Sequence, residues 1–287
     1  MNLKNYLDQA VENKKAIGHF NVSNWEGIRA VKEISRELNQ PIIIGASEGE
    51  AEFLGIKEIS AIVRHFRQTY NLPLFLNADH FKDLGKIKQA AEAGFDAILF
   101  DAVEFDLEEN IKKTKQAVEL VKSINPDILT EGELGYIGFG SVVREQLPEG
   151  AVVSEEQMIK PEQAKRFVQE TGVDLIGPGV GNIHGIVKGY KENLSFQRIQ
   201  EIKDAVPAYL VLHGASGIDN QSIAKAIQAG VSIVHINTEL RLAWKNALEK
   251  SLEENPKEIA PYKVLLPAVE EIKAVIKEKI AVFNGRE

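Results

Sequence analysis

Cysteine is absent from the 287 residues of the chain. That absence excludes a disulfide framework, a thiolate metal site and a cysteine nucleophile, and makes a reducing cytoplasm the natural setting. Uninterrupted apolar runs are missing too. The opening stretch, MNLKNYLDQAVENKKAIGHF, alternates charged and apolar residues, so neither a signal peptide nor a membrane span is expected and the protein reads as soluble. With a net charge of −8 and no arginine or lysine cluster, the chain has no evident nucleic-acid surface. An anionic substrate would instead need a local trap of backbone N–H groups.

What the chain does have is 44% hydrophobic and 26% charged residues, enough for one large α/β core without staples. Eight short apolar or β-branched runs recur, each followed by a segment of helical periodicity. They lie at 16–22, 41–47, 72–79, 97–103, 127–134, 174–180, 209–215 and 231–238. Asn24 and Asp219 stand as N-cap signals before two of the helices, and Ser60 lies inside a looser helix start. Eight βα units predict a single-domain α/β (β/α)8 TIM barrel over 1–287, a fold for which about 250 residues is usual. A doubly wound open sheet is the alternative. That fold usually carries G-x-G-x-x-G after its first strand, whereas here Ser-Asn-Trp-Glu-Gly follows Val22. One connection, about 135–160, is long and glycine-bearing and reads as a mobile lid, with a solvated insertion as the bland alternative. A helical tail at about 261–283 would pack on the barrel or on a second subunit.

Polar residues collect at the predicted strand ends, which in a barrel face one pocket. Asn77, Asp79 and His80 end the third run, Asp101 the fourth, Glu131 and Glu133 the fifth, Asn182 and His184 the sixth, His213 the seventh, and Asn237 and Thr238 the eighth. Three imidazoles leaving one position open suit a catalytic Zn²⁺, so His80, His184 and His213 are the expected ligands. Asp79, beside His80, would point to a different part of the pocket and could shuttle a proton; capping a helix or orienting a ring is its structural alternative. His235 shares its strand phase with Asn237 and reads either as a substrate contact or as an interior side chain. His65 falls on a helix surface, and His19, in the middle of the first strand, reads either as core or as a support behind the site. Gly214-Ala215-Ser216-Gly217 and Asn237-Thr238 form a second constellation, placed where barrels often bind phosphate.

In this order, Phe20-Asn21-Val22, Ser47, Asp79-His80, Asp101, Glu133-Leu134-Gly135, Asn182-Ile183-His184-Gly185, His213 to Gly217 and Asn237 to Arg241 resemble the class II, metal-dependent ketose-bisphosphate aldolases. That group includes fructose- and tagatose-bisphosphate aldolases, and the resemblance covers nearly the whole chain. It implies Zn²⁺, with Co²⁺ or Mn²⁺ as substitutes, on His80, His184 and His213, and a catalytic Asp79. It also implies Asp101 and Glu133 near an alternative metal position. Ser47, Gly185, Gly214, Ala215, Ser216, His235, Ile236, Asn237 and Thr238 match substrate- and phosphate-contacting positions, where Na⁺ or K⁺ often assists. The implied reaction cleaves fructose 1,6-bisphosphate to dihydroxyacetone phosphate and glyceraldehyde 3-phosphate through a metal-stabilised enediolate, in a homodimer or homotetramer. A Schiff-base mechanism would need a lysine at a strand end, and none of the strand tails has one.

The chain departs from that pattern at three places. Phe81 follows Asp-His where glycine is usual, and His235 stands where asparagine is usual. After Gly135 the chain reads Tyr-Ile-Gly-Phe-Gly-Ser in place of paired glycines followed by acidic residues. Glu145, Glu149, Glu155 and Glu156 remain candidates for the lid's proton-handling role. The competing readings are a metal-dependent lyase or epimerase on another phosphorylated or carboxylated substrate, a tagatose-bisphosphate aldolase, and a non-catalytic sugar-phosphate binder.

Overall fold

The computed structural model describes residues 1–135, 137–138, 140–147 and 154–285. Eight parallel strands close into a barrel: β1 (Ile17–Asn21), β2 (Ile42–Ser47), β3 (Leu74–Phe81), β4 (Ala97–Phe100), β5 (Leu129–Leu134), β7 (Leu175–Pro178), β9 (Tyr209–Leu212) and β10 (Val231–Ile236). β10 pairs back onto β1, with His19 opposite His235, so no edge is left open. This is the (β/α)8 barrel that the sequence predicts. Two further strands, β6 (Val143–Arg144) and β8 (Ile186–Val187), pair in parallel above it.

Helices α2 (Trp25–Leu38), α4 (Ile56–Tyr70), α5 (Leu84–Ala93), α6 (Leu107–Ile124), α7 (Pro161–Thr171), α8 (Phe196–Ala205), α9 (Asn220–Gln228) and α10 (Thr238–Glu254) follow the barrel strands in turn. A short α3 (Glu48–Leu54) precedes α4. Asn24 accepts the Gly27 N–H and Asp219 the Ser222 N–H, so both cap as the sequence indicates. Ser60 does not mark a start. It lies within α4, which begins at Ile56, and its hydroxyl donates to the Ala93 carbonyl at 2.6 Å, tying α4 to the end of α5. The tail forms α11 (Pro261–Phe283), which packs on the barrel against α2, α9 and α10 and buries Ile272, Ile276 and Phe283.

Strand periodicity stacks the barrel interior in layers. The lowest takes one apolar residue from each strand: Ile17, Ile43, Phe75, Ala97, Leu129, Leu175, Val211 and Ile233. Helix α1 (Leu3–Glu12) closes that end with Leu3, Leu7 and Ala10. Two residues further along each strand the layer becomes His19, Gly45, Asn77, Leu99, Glu131, Gly177, His213 and His235. Burying this many polar groups is costly unless they bond to one another or to a ligand. That layer is the floor of the site.

Candidate metal centre and active site

Glycines make room for the polar layer. A Cβ on Gly45 would lie 2.1 Å from His19 Cε1, and one on Gly177 would lie 2.6 Å from His213 Cδ2. Each glycine therefore lets an imidazole lie across a neighbouring strand. On β3, adjacent residues should face opposite sides of the sheet. A register shift against β4 between Ala78 and Phe81, with His80 at φ 53°, breaks that alternation. Ala78 and Phe81 join the outer apolar core, while both Asp79 and His80 line the cavity. The two side chains thus share one pocket and do not point to separate parts of it.

His184 is not at a strand tail. β7 ends at Pro178, and the chain continues as a loop that the segment after Gly135 holds in place. The His184 N–H donates to the Ile137 carbonyl at 2.7 Å, and the Arg144 guanidinium donates to the His184 carbonyl at 2.9 Å. Asn182 braces the loop from below, donating to the His213 carbonyl at 3.0 Å.

The three expected ligands converge. Ring centroids are 4.8 Å apart for His80–His184, 5.0 Å for His80–His213 and 5.8 Å for His184–His213, with steep interplanar angles of 73°, 71° and 85°. One nitrogen of each ring is held from outside. His184 Nδ1 donates to the Gly138 carbonyl at 2.9 Å, which leaves Nε2 as the lone pair. His213 Nε2 lies 2.7 Å from Glu131 Oε1, and its buried Nδ1 has no partner. His80 Nδ1 lies 3.1 Å from Asp101 and 3.4 Å from Glu133. Outer groups that fix each ring while its other nitrogen stays available are how proteins orient metal-binding histidines. Atoms from His80, His184 and His213 lie within 4.8 Å of one another, as do atoms from His80, Asp101 and Glu133. Both Glu133 carboxylate oxygens are buried without a hydrogen bond. The donor set fits a divalent cation of borderline softness, with three nitrogens at hand and carboxylates behind them.

Electrostatics agree with that fit. Burial opposes charge on His80, yet Asp79, Glu133 and Asp101 raise its pKa to about 10. Burial raises Glu133 to about 7 despite His80 and His213. His184 is depressed to about 3 by burial and by the other two rings. The buried carboxylates thus raise both His80 and, against burial, His213, favouring positive charge that a metal cation would supply instead. Asp79 is buried; His80 and His235 hold its pKa well below the ordinary carboxylate range against the effect of burial. Its Oδ2 accepts from the Asn21 amide at 2.9 Å, and its Oδ1 has no hydrogen bond. His235 Nδ1 lies 3.5 Å from that Oδ1.

The cavity over this cluster measures about 220 Å³ and is lined by Ser47, Asp79, His80, Asp101, Glu133, His184, Gly185, His213, Gly214, Ser216, His235, Asn237 and Thr238 among others. The side chains of Ala215 and Ile236 are instead buried in the apolar core outside the barrel. At the phosphate-type end, Asn237 precedes α10 without a side-chain cap bond. His65 is exposed on α4. Glu145 is solvated and paired with Lys188, and Glu155 and Glu156 are exposed; none of these lines the cavity. Glu149 lies outside the described residues.

Several further residues take site positions that the sequence left open. His19 stacks on His235 at 3.5 Å with planes 4° apart, so no single ion can lie in both ring planes. Asn21, Glu50 and Arg241 form a chain leading from Asp79 to the rim. The two-residue spacing of His19 and Asn21 on β1 is the signal that could have placed both on the inner face. Glu50 forms a capping box with Ser47 three residues before it, a local pattern, but nothing local marks its pairing with Arg241.

The family model described as fructose-bisphosphate aldolase class II matches residues 1–287. The chain belongs to the class II fructose-bisphosphate aldolase family. This class II aldolase is 32% identical over 288 residues to fructose-bisphosphate aldolase of Geobacillus stearothermophilus, covering 99% of this chain and 97% of that protein. The YdjI aldolase from Escherichia coli K12 superposes with a TM-score of 0.80 at 29% identity, over 98% of this chain and 96% of that one. A Coccidioides immitis protein solved as a candidate fructose-1,6-bisphosphate aldolase gives 0.81 at 26%, over 98% and 95%. As a class II aldolase the chain is a carbon–carbon lyase for a phosphorylated sugar, in a family that is generally metal-dependent. Among the described residues no helix is long and apolar enough to cross a membrane.

Proposed function

We propose that this aldolase cleaves and forms the C3–C4 bond of a ketose 1-phosphate, with dihydroxyacetone phosphate as its ketone product and Zn²⁺ as its metal. The supporting observation is the convergence of His80, His184 and His213, each with one nitrogen tied from outside and one turned inward. Bound by those three, with Asp101 and Glu133 as an alternative set, a divalent cation supplies Lewis-acid polarisation of the ketose carbonyl. Asp79 takes the proton of the C4 hydroxyl as the C3–C4 electron pair stays with the ketone half, and returns it in condensation. The Asn21 amide fixes that carboxylate through Oδ2, and Oδ1, which has no hydrogen bond and lies 3.5 Å from His235 Nδ1, is the acceptor. The C1 phosphate lies on the backbone of Gly214 to Ser216 beside the first turn of α10, with Gly185, His235, Asn237 and Thr238 around the sugar. Ala215 and Ile236 contribute main chain only. A Na⁺ or K⁺ ion beside the phosphate belongs to the same reading.

Glu145, Glu155 and Glu156 stand clear of the cavity, so the proposal gives none of them a proton-transfer role. A homodimer or homotetramer belongs to the same reading. Exhaustive chelation should abolish release of dihydroxyacetone phosphate from ketose phosphates, and Zn²⁺ or Co²⁺ should restore it. Borohydride with substrate should not inactivate the enzyme. Turnover that survives chelation contradicts the proposal. Fructose 1,6-bisphosphate, the sugar expected from the sequence, would place a second phosphate at the far end of the cavity.

A further inference from the structure

The far end of the cavity is built around a carboxylate that belongs to the protein. Glu50 is 7% exposed, on the first turn of α3, and three groups donate to it. The Ser47 N–H reaches Oε2 at 2.8 Å, the Asn21 amide reaches the same oxygen at 3.0 Å, and the Arg241 guanidinium reaches Oε1 at 2.6 Å. The Ser47 hydroxyl is engaged as well, accepting the Glu50 N–H at 3.4 Å. Asn21, Ser47 and Arg241 line the cavity, while Glu50 lies behind them on the neighbouring cleft. Arg241 is the one lysine or arginine among the described lining residues.

An incoming phosphate at this end would need the donors that Glu50 already holds. It would also place a second anionic group against a buried carboxylate, and like charges brought together without water between them repel strongly. The Gly214–Ser216 side has backbone N–H groups next to the start of α10, where the Ser216 hydroxyl accepts from the Asn237 and Glu239 N–H groups at 3.2 and 3.4 Å. The donors of Asn21, Ser47 and Arg241 are therefore held by an internal carboxylate, whereas the Gly214–Ser216 side presents main-chain N–H groups.

We infer that the aldehyde half of the substrate is uncharged: Glu50 is a specificity-determining residue that holds Arg241 and the Ser47 N–H, and so selects ketose 1-phosphates lacking a second phosphate. Hydroxyl groups suit this end, because a neutral sugar can donate to the carboxylate and accept from the guanidinium without disrupting their pairing. The inference rests on the aldolase reading above, with dihydroxyacetone phosphate as the ketone half.

The test runs in the condensation direction with the Zn²⁺-loaded enzyme and dihydroxyacetone phosphate. Glyceraldehyde, lactaldehyde and erythrose are compared with glyceraldehyde 3-phosphate and erythrose 4-phosphate. Wild-type kcat/KM should favour the neutral aldehydes by about ten-fold or more, and Glu50→Gln should move that ratio toward the phosphorylated ones by about ten-fold. A wild-type preference for the phosphorylated aldehydes overturns the inference without needing any variant, and so does a ratio that Glu50→Gln leaves unchanged. Exchange of the hydroxymethylene protons of dihydroxyacetone phosphate, followed by NMR with no aldehyde present, separates the two levels. Exchange with a preference for phosphorylated aldehydes refutes only the role of Glu50. Absence of exchange refutes the aldolase reading, and this inference with it.

Discussion

At the residue scale, the metal cluster depends on one missing side chain as much as on three present ones. His213 occupies the space over Gly177, where a Cβ would come within 2.6 Å of its ring. Gly177→Ala should displace that ring and weaken metal affinity by about 10–100-fold, the range seen when supports of metal ligands are disturbed. Metal titration with the fold monitored by circular dichroism checks this. Asp79→Ala should retain the metal and lose about 10²–10⁴-fold in turnover, whereas His213→Ala should lose the metal itself. Equal metal loss in the two variants would make Asp79 a ligand. Asp79, His80 and His213 were legible because each ends an apolar run beside other polar residues. The inward turn of His80 was not, because it depends on a positive φ and a bulge that no residue type announces.

Elements differ in how local their causes are. Asp219 caps α9 through the Ser222 N–H at 2.9 Å, a contact between residues three apart, and so the sequence shows it. Asp219→Ala should cost about 1 kcal/mol, measured as a lower urea midpoint at unchanged slope. Ser60 resembles a start signal but bonds a carbonyl 33 residues away, which pattern alone could not reveal. The His184 loop is non-local for the same reason, because Ile137, Gly138 and Arg144 hold it from a separate segment. Glu192 braces that loop by accepting the Ile183 N–H at 3.1 Å, and burial raises its pKa from 4.5 to about 8. A carboxyl raised in the folded state favours folding while protonated. Its contribution is complete below the unfolded value near 4.5 and is lost as pH climbs through about 8. Glu192→Gln should therefore flatten the fall in stability between those limits, as read by thermal melts across pH. An unchanged slope would place the titration elsewhere.

Over the whole molecule, eight strands give a barrel with an apolar base sealed by α1, a polar middle layer and an open top. The barrel could be read from the βα alternation because each unit encodes itself locally. Its division into layers could be read only once registers fixed which residues face inward, and for that reason the places of His19 and Asn21 in the site were left open by the sequence. The rim was least legible. Glu50 on α3 and Arg241 on α10 meet across 191 positions of sequence, and only closure of β10 onto β1 brings them together. The most direct test of the central claim is anomalous diffraction at the zinc edge from Zn²⁺-loaded crystals. One ion should lie about 2.0–2.1 Å from a nitrogen of each of His80, His184 and His213, with one position open. An ion bound elsewhere, or these three rings empty at full loading, would contradict the account.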